Sequence, residues 1–191
     1  MEESDRIMPA EAAQSRILAD NDRSVVLVGL MGAGKSTVGR RLAQRLDRRF
    51  VDADDEIERA AGMTIPEIFE TYGEAHFRDG ERRVLSRLLG EDGIIIATGG
   101  GAFMNDETRA LILDRALSIW LKADLETLVR RCAKRTDRPL LKGGDPAETM
   151  RKLMALRYPV YAEADYTVES GGDTHDQVVD RILEVMGATE T

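Results

Sequence analysis

Residues 29–36 read Gly29-Leu30-Met31-Gly32-Ala33-Gly34-Lys35-Ser36, and Thr37 follows them. This is the pattern G-x-x-x-x-G-K-S of a phosphate-binding loop (P-loop), whose glycines let backbone N–H groups turn inward around phosphate oxygens. Lys35 would place its ammonium on the β- and γ-phosphates, and the hydroxyl of Ser36 suits a Mg²⁺ ligand. We therefore expect ATP or another nucleoside triphosphate to be bound by Gly32, Ala33, Gly34, Lys35, Ser36 and Thr37.

The P-loop lies between a predicted strand and a predicted helix. Residues 24–28 are an apolar, β-rich run, and residues 38–46 place Val38, Leu42 and Leu46 on one helical face. Further strands are predicted at 49–52, 94–98, 116–121 and 166–168. Helices are predicted between them at 54–61, 65–72, 74–89, 106–113, 124–135, 147–158 (ending before Pro159) and 174–186. This alternation predicts an α/β fold with a parallel sheet covered by helices on both faces.

Composition disfavours several other classes of protein. The net charge of −8 opposes attraction to nucleic acid or to an anionic membrane surface. No apolar run approaches the roughly 18 residues of a membrane span. Cys132 is the only cysteine, so an internal disulfide is impossible, and its helical spacing from Leu128 favours a place in the core. We expect a cytoplasmic protein with an acidic leader at 1–23 and a single domain at 24–191.

Two carboxylates follow the second predicted strand. Asp52 and Asp54 lie two residues apart, so both would face the same side of an extended chain. Ligands of parallel sheets bind beyond the carboxyl ends of the strands, which places the pair beside the P-loop. One carboxylate could hold Mg²⁺ through water while the other accepts a hydrogen bond from a substrate hydroxyl. The alternative is a solvated, aspartate-rich turn.

Three glycines at 99–101 and several arginines complete the candidate site. The glycines follow an apolar strand and leave the backbone open to close contact with a ligand, although a plain turn is the alternative. Arg78 lies three residues before Glu81, which could hold its guanidinium in place. Arg157 ends a predicted helix, and Arg135 and Arg138 lie around the start of an irregular segment at 136–146 that we expect to be a mobile loop. Guanidinium groups grip carboxylates and phosphates, but single arginines are more often solvated.

Taken together, these motifs resemble those of the shikimate kinase family. The resemblance covers about residues 25–186 and implies a three-layer P-loop kinase fold with a five-stranded parallel sheet in the order 2-3-1-4-5, flanked by helices. It also implies transfer of the γ-phosphate of ATP to the 3-hydroxyl of shikimate, in the chorismate pathway of aromatic amino-acid synthesis. The motifs are the P-loop, Asp52-Ala53-Asp54, Phe77-Arg78, Thr98-Gly99-Gly100-Gly101, Asp137-Arg138-Pro139-Leu140-Leu141 and Arg157-Tyr158-Pro159-Val160-Tyr161.

The resemblance also implies a role for each site residue. Shikimate would be bound within a helical region at about 54–90 and by residues outside it, the full set being Asp54, Arg78, Gly99, Gly100, Gly101 and Arg157. Arg78 and Arg157 would grip its carboxylate. Mg²⁺ would be held by Ser36 and, through water, by Asp52. The loop at 136–146 would be a lid. Arg138 is similar to the lid arginine that swings onto the phosphates, and Arg135 to the one that lies against adenine, so the catalytic groups would be Lys35, Asp54 and Arg138.

Two other functions remain open at this point. A kinase for another small acceptor, such as gluconate or a nucleoside monophosphate, would have the same fold. A non-catalytic nucleotide switch would use the P-loop only to change its affinity for a partner. Against a switch, the chain carries acidic and basic candidates for an acceptor site as well as the nucleotide half. The expected partners are ATP and shikimate, without nucleic acid or membrane, and the expected state is a monomer.

Overall fold

A computed structural model describes residues 23–133 and 145–187. Its sheet has five strands in the order β2-β3-β1-β4-β5, and each neighbouring pair is parallel. The predicted α/β class and the strand order implied by the family resemblance are both confirmed. The strands are β1 (Ser24–Val28), β2 (Phe50–Asp52), β3 (Ile95–Ala97), β4 (Ala116–Lys122) and β5 (Tyr166–Glu169).

Helices connect the strands and cover both faces of the sheet, as the alternating pattern predicts. Within the described residues, none of them is long and apolar enough to cross a membrane. A 3₁₀ turn at Ala102–Met104, which we did not predict, follows the three glycines. The helices are α1 (Lys35–Arg45), α2 (Ala53–Ala61), α3 (Ile65–Leu88), α4 (Asp106–Arg115), α5 (Leu125–Ala133), α6 (Pro146–Tyr161) and α7 (His175–Val185).

Helix α3 joins the two predicted helices around Gly73. It begins with a capping box, in which the Thr64 hydroxyl accepts from the Glu67 N–H and the Glu67 carboxylate accepts from the Thr64 N–H. Gly73 itself is non-helical, with φ 80° and ψ 176°. The predicted break is therefore present as a kink rather than as an end.

Both predicted boundaries of helix α6 were wrong. It continues through Pro159 to Tyr161, because the backbone bond from the Ala162 N–H to the Tyr158 carbonyl still closes the turn beyond the proline. It also begins at Pro146, which we assigned to the end of the lid. Asp145 caps the helix by accepting from the Ala147 N–H, and proline suits the first turn because its missing N–H would have no partner there.

The strands bring three of the predicted site segments to the same end of the sheet. β1 and β3 are fully buried, as expected for strands covered on both faces, and their register pairs Leu27 with Ala97. β2 pairs Asp52 with the same Ala97. The P-loop, the two aspartates and the glycines at 99–101 consequently leave adjacent strands side by side.

Candidate active site

The P-loop has the backbone conformation that its glycines predict. Gly34 precedes α1 with φ 95°, a left-handed conformation that residues with a Cβ atom rarely adopt. The Nζ of Lys35 donates to the carbonyl oxygens of Gly29 at 2.7 Å and Leu30 at 3.0 Å. The ammonium therefore lies across the loop at the start of α1, where the positive end of the helix dipole adds to its charge.

Arg131 also holds the P-loop, and sequence reasoning missed it. Its Nη1 donates to the carbonyl oxygens of Gly32 and Ala33, at 3.3 and 3.4 Å, and its Nη2 donates to Ser170 O at 2.9 Å. The Ser170 hydroxyl donates to Ala33 O as well, at 3.1 Å. These bonds fix the carbonyl side of the loop from behind. No local pattern of residues distinguishes Arg131 from its exposed neighbour Arg130.

The predicted magnesium ligands are in contact with each other. The Ser36 hydroxyl donates to Oδ2 of Asp52 at 2.6 Å, while Oδ1 of Asp52 caps α2 by accepting from the Asp54 N–H at 3.2 Å. A hydroxyl and a carboxylate are hard oxygen donors of the kind that Mg²⁺ takes, together with phosphate and water. Across the described residues, no group of three or more His, Cys, Asp or Glu side chains could hold a metal by itself.

Asp54 occupies a partly buried position in the first turn of α2. Burial raises the pKa of its carboxyl to about 6, with the Asp52 carboxylate adding to the rise, Lys35 opposing it and Glu81 adding a smaller contribution. At neutral pH Asp54 is therefore mostly ionised, yet its proton affinity is higher than that of an ordinary aspartate. Such a group can accept a proton from a hydroxyl that is losing one.

Arg78 is braced by Glu81, as the helical spacing predicts. Its Nη1 donates to Oε2 of Glu81 at 2.7 Å, and its Nη2 donates to Oε1 of Glu74 at 3.4 Å. The Glu81 side chain is only 3% exposed and that of Arg78 is 28% exposed. Burial raises the pKa of Glu81, and the bond from Arg78 opposes that rise. The guanidinium is thus held in one orientation with part of its surface open.

The three glycines each face one of the three charged side chains predicted to bind the acceptor. A Cβ on Gly99 would lie 2.8 Å from Oδ1 of Asp54, and one on Gly101 would lie 2.5 Å from Nη2 of Arg78. A Cβ on Gly100 would lie 3.4 Å from Nη1 of Arg157, which donates to the Gly100 carbonyl at 3.1 Å. The absence of a Cβ at these positions therefore makes room first for the protein's own charged groups, and not only for a ligand as we expected.

This acidic and basic cluster abuts the P-loop. The Cβ position of Gly100 lies 3.6 Å from both the Gly29 carbonyl oxygen and the Met31 nitrogen. The two halves of the site, one for phosphates and one for an anionic hydroxylated molecule, therefore share a wall. Such contact is what direct transfer between two bound molecules requires.

The other predicted residues either lie at the margin of this site or fall outside the described part of the chain. Thr37 lies in the first turn of α1 with an exposed side chain. Arg135, Arg138 and residues 136–144 of the predicted lid lie outside the described residues, as does the leader up to residue 22. Cys132 is buried, as predicted, and its Sγ would lie 2.9 Å from a Cβ on Gly32.

Comparison with known proteins places the chain in a family. The shikimate kinase of Bradyrhizobium diazoefficiens is 55% identical over 187 residues, covering 97% of this chain and 90% of the relative. That of Nitrobacter winogradskyi is 59% identical over 164 residues, covering 86% of this chain and 77% of the relative. A solved structure of shikimate kinase from Acinetobacter baumannii in complex with shikimate has a TM-score of 0.84 at 38% identity, covering 90% of this chain and 96% of that one.

More distant similarity shows the fold alone. A gluconokinase from Sinorhizobium meliloti has a TM-score of 0.57 at 16% identity, covering 87% of this chain and 93% of that one. By contrast, a family model for shikimate kinase matches residues 31–187. Since that match includes most of the P-loop, the paired aspartates, the three glycines, Arg78 and Arg157, the chain belongs to the shikimate kinase family.

Proposed function

We propose that this chain transfers the γ-phosphate of ATP to the 3-hydroxyl of shikimate, giving shikimate 3-phosphate and ADP. One observation carries the proposal: Asp54, Arg78 and Arg157 converge on the glycines at 99–101, and those glycines lie against the P-loop. Two guanidinium groups and one carboxylate suit a small ring that bears a carboxylate and several hydroxyls. The A. baumannii relative with the same fold is in complex with shikimate.

The acceptor half binds and aims shikimate. Arg78 and Arg157 grip its carboxylate, and the N–H of Gly100 binds a ring hydroxyl. Asp54 accepts a hydrogen bond from the 3-hydroxyl and turns its oxygen toward the γ-phosphorus. As the new O–P bond forms and the bond to the bridging β–γ oxygen breaks, the hydroxyl proton passes to Asp54.

The nucleotide half neutralises charge on the phosphates. The N–H groups of Gly32 and Gly34 bind the phosphate oxygens, and that of Ala33, which donates to the Leu30 carbonyl at 3.1 Å, turns to join them. The Lys35 ammonium neutralises the charge that develops on the β- and γ-phosphates. We infer that Ser36 holds Mg²⁺, directly, and that Asp52 does so through water. When bound, the ion would offset part of the phosphate charge. The roles of Arg135 at adenine and Arg138 at the phosphates stay predictions.

A coupled assay for ADP with shikimate, gluconate and a nucleoside monophosphate tests the proposal directly. We expect turnover with shikimate and none above background with the other two. Equal turnover with gluconate would contradict the proposal that shikimate is the specific acceptor. Calorimetric titration with shikimate separates the kinase from a nucleotide switch, because a switch without an acceptor site would release no heat.

Arg131→Met should raise the KM for ATP about tenfold while leaving the KM for shikimate within about twofold. Methionine keeps the apolar stem but removes the bonds to the carbonyl oxygens of Gly32 and Ala33. Arg130→Met is the matched control, since it removes the same charge from an exposed neighbouring position. Equal effects of the two variants would show that charge, rather than support of the P-loop, sets ATP affinity.

A further inference from the structure

The hydroxyl of Tyr161 lies behind the glycines of the acceptor half. Tyr161 is fully buried near the end of α6, and its hydroxyl donates to the carbonyl oxygen of Gly100 at 2.5 Å. Arg157, one helical turn earlier, donates to the same oxygen at 3.1 Å. Two donors on one face of α6 therefore hold a single carbonyl of the loop.

Holding that carbonyl fixes the direction of the peptide group to which it belongs. In a trans peptide the carbonyl of Gly100 and the N–H of Gly101 point to opposite sides, and the described residues contain no cis bond. Within 23–133 and 145–187, the N–H groups of Gly100 and Gly101 have no backbone or side-chain acceptor. The Tyr161 hydroxyl thus orients the Gly100–Gly101 peptide, and the N–H groups of both glycines, one on each side of the Gly100 Cα, are left for a ligand.

The ring of Tyr161 packs against two other aromatic rings. It stacks on Phe103, which follows the glycines in the 3₁₀ turn, with ring centroids 6.4 Å apart. Its centroid lies 5.9 Å from that of Trp120 at the end of β4. Burial raises the pKa of Tyr161 to about 12, outweighing Arg157, which lowers it. The hydroxyl therefore remains a donor throughout the physiological pH range.

We propose that Tyr161 is a positioning residue for shikimate: its hydroxyl holds the Gly100 peptide, and with it Arg157, in the orientation that receives the acceptor. The inference rests on the proposed function, and it adds a residue that does not itself touch the substrate. Loss of the hydroxyl frees the peptide to rotate and leaves Arg157 as its sole side-chain donor among the described residues.

Tyr158 offers a matched control on the same helix. Its hydroxyl also donates to a backbone carbonyl, that of Ala123, and burial likewise raises its pKa to about 12. Its ring meets Trp120 edge-on, with centroids 4.8 Å apart. Tyr158→Phe and Tyr161→Phe therefore delete the same group from one helix, although Tyr158 is only partly buried, and only the Tyr161 bond reaches the glycines.

The test compares steady-state kinetics and shikimate calorimetry for the wild type and both variants. We expect Tyr161→Phe to raise the KM and Kd for shikimate roughly three- to tenfold, with kcat and the KM for ATP within about twofold of the wild type. Tyr158→Phe should leave all four values within about twofold. Hydrogen exchange at Ala102, whose N–H donates to the Gly99 carbonyl at 3.2 Å, should be faster in Tyr161→Phe alone.

Each contrary result is decisive. Equal shikimate constants in the two variants would overturn the positioning role, and so would a Tyr161→Phe protein that fails to fold, because the hydroxyl would then support the whole domain rather than the loop. A wild-type chain that neither binds nor phosphorylates shikimate would instead refute the proposed function. The two failures are therefore distinguishable.

Discussion

Asp54→Asn should lower kcat for shikimate phosphorylation about a thousandfold, because asparagine keeps the shape of the side chain but cannot take the hydroxyl proton. Steady-state kinetics with saturating ATP and shikimate measures this loss. The KM for ATP should stay within about twofold of the wild-type value, since Asp54 contacts the acceptor half of the site. Asp55→Asn is the control, because Asp55 is the exposed next residue in the same helical turn.

The pH profile gives an independent view of the same carboxylate. Because the pKa of Asp54 is raised to about 6, wild-type kcat/KM should rise with pH, reach half its maximum near pH 6 and then level off. The residual activity of Asp54→Asn should lack this acidic limb. A variant that retains the limb, or one that loses less than tenfold in kcat, would show that Asp54 is not the proton acceptor.

Stability should change in the opposite direction to activity. A carboxyl whose pKa is higher in the folded than in the unfolded state favours folding in its protonated form, so folding becomes less favourable as pH rises from about 4 to about 6. Asp54→Asn removes that penalty at neutral pH. We expect its melting temperature to equal or exceed that of the wild type, which would separate loss of catalysis from loss of the fold.

The nucleotide half was predictable because its signal is local. The glycines, Lys35 and Ser36 lie within eight consecutive residues, and the loop geometry follows from that order. The helix break at Gly73 was likewise readable from one residue. The order of the strands was not a local property, and its prediction depended on resemblance to a family with known topology.

Candidate residues for the acceptor half could be proposed from the sequence, but the way they pack together could not. The contacts of Gly99 with Asp54, Gly100 with Arg157 and Gly101 with Arg78 join segments far apart along the chain. No spacing rule pairs them. Arg131 was missed for a related reason, since only the helical phase, fixed by packing, distinguishes it from Arg130.

Helix ends illustrate how packing overrides local signals. Proline normally ends or kinks a helix, which led us to stop α6 before Pro159. The helix instead includes another turn that carries Tyr161 into the core behind the glycines. Proline does disfavour a helix interior, but burial of the Tyr161 ring in the core determines where α6 ends.

Arg78→Gln should raise the KM for shikimate about a hundredfold, because it removes one of the two guanidinium groups that grip the carboxylate. It should also lower the free energy of unfolding by about 2 kcal/mol, since Glu81 is left buried without its partner. Loss of the guanidinium raises the pKa of Glu81 further, so this destabilisation should grow as pH rises and the buried carboxyl becomes ionised. Kinetics and denaturant unfolding measure the two effects.

A second substitution separates these effects. Arg78→Gln combined with Glu81→Gln removes the buried charge, so stability should recover most of its loss while the KM for shikimate stays high. Arg82→Gln is the control, because Arg82 lies on the same helix and pairs with Asp79 at 2.9 Å but is 46% exposed. Recovery of both stability and KM in the double variant would mean that Arg78 acts by neutralising Glu81. Recovery of stability alone would assign its guanidinium to the substrate carboxylate.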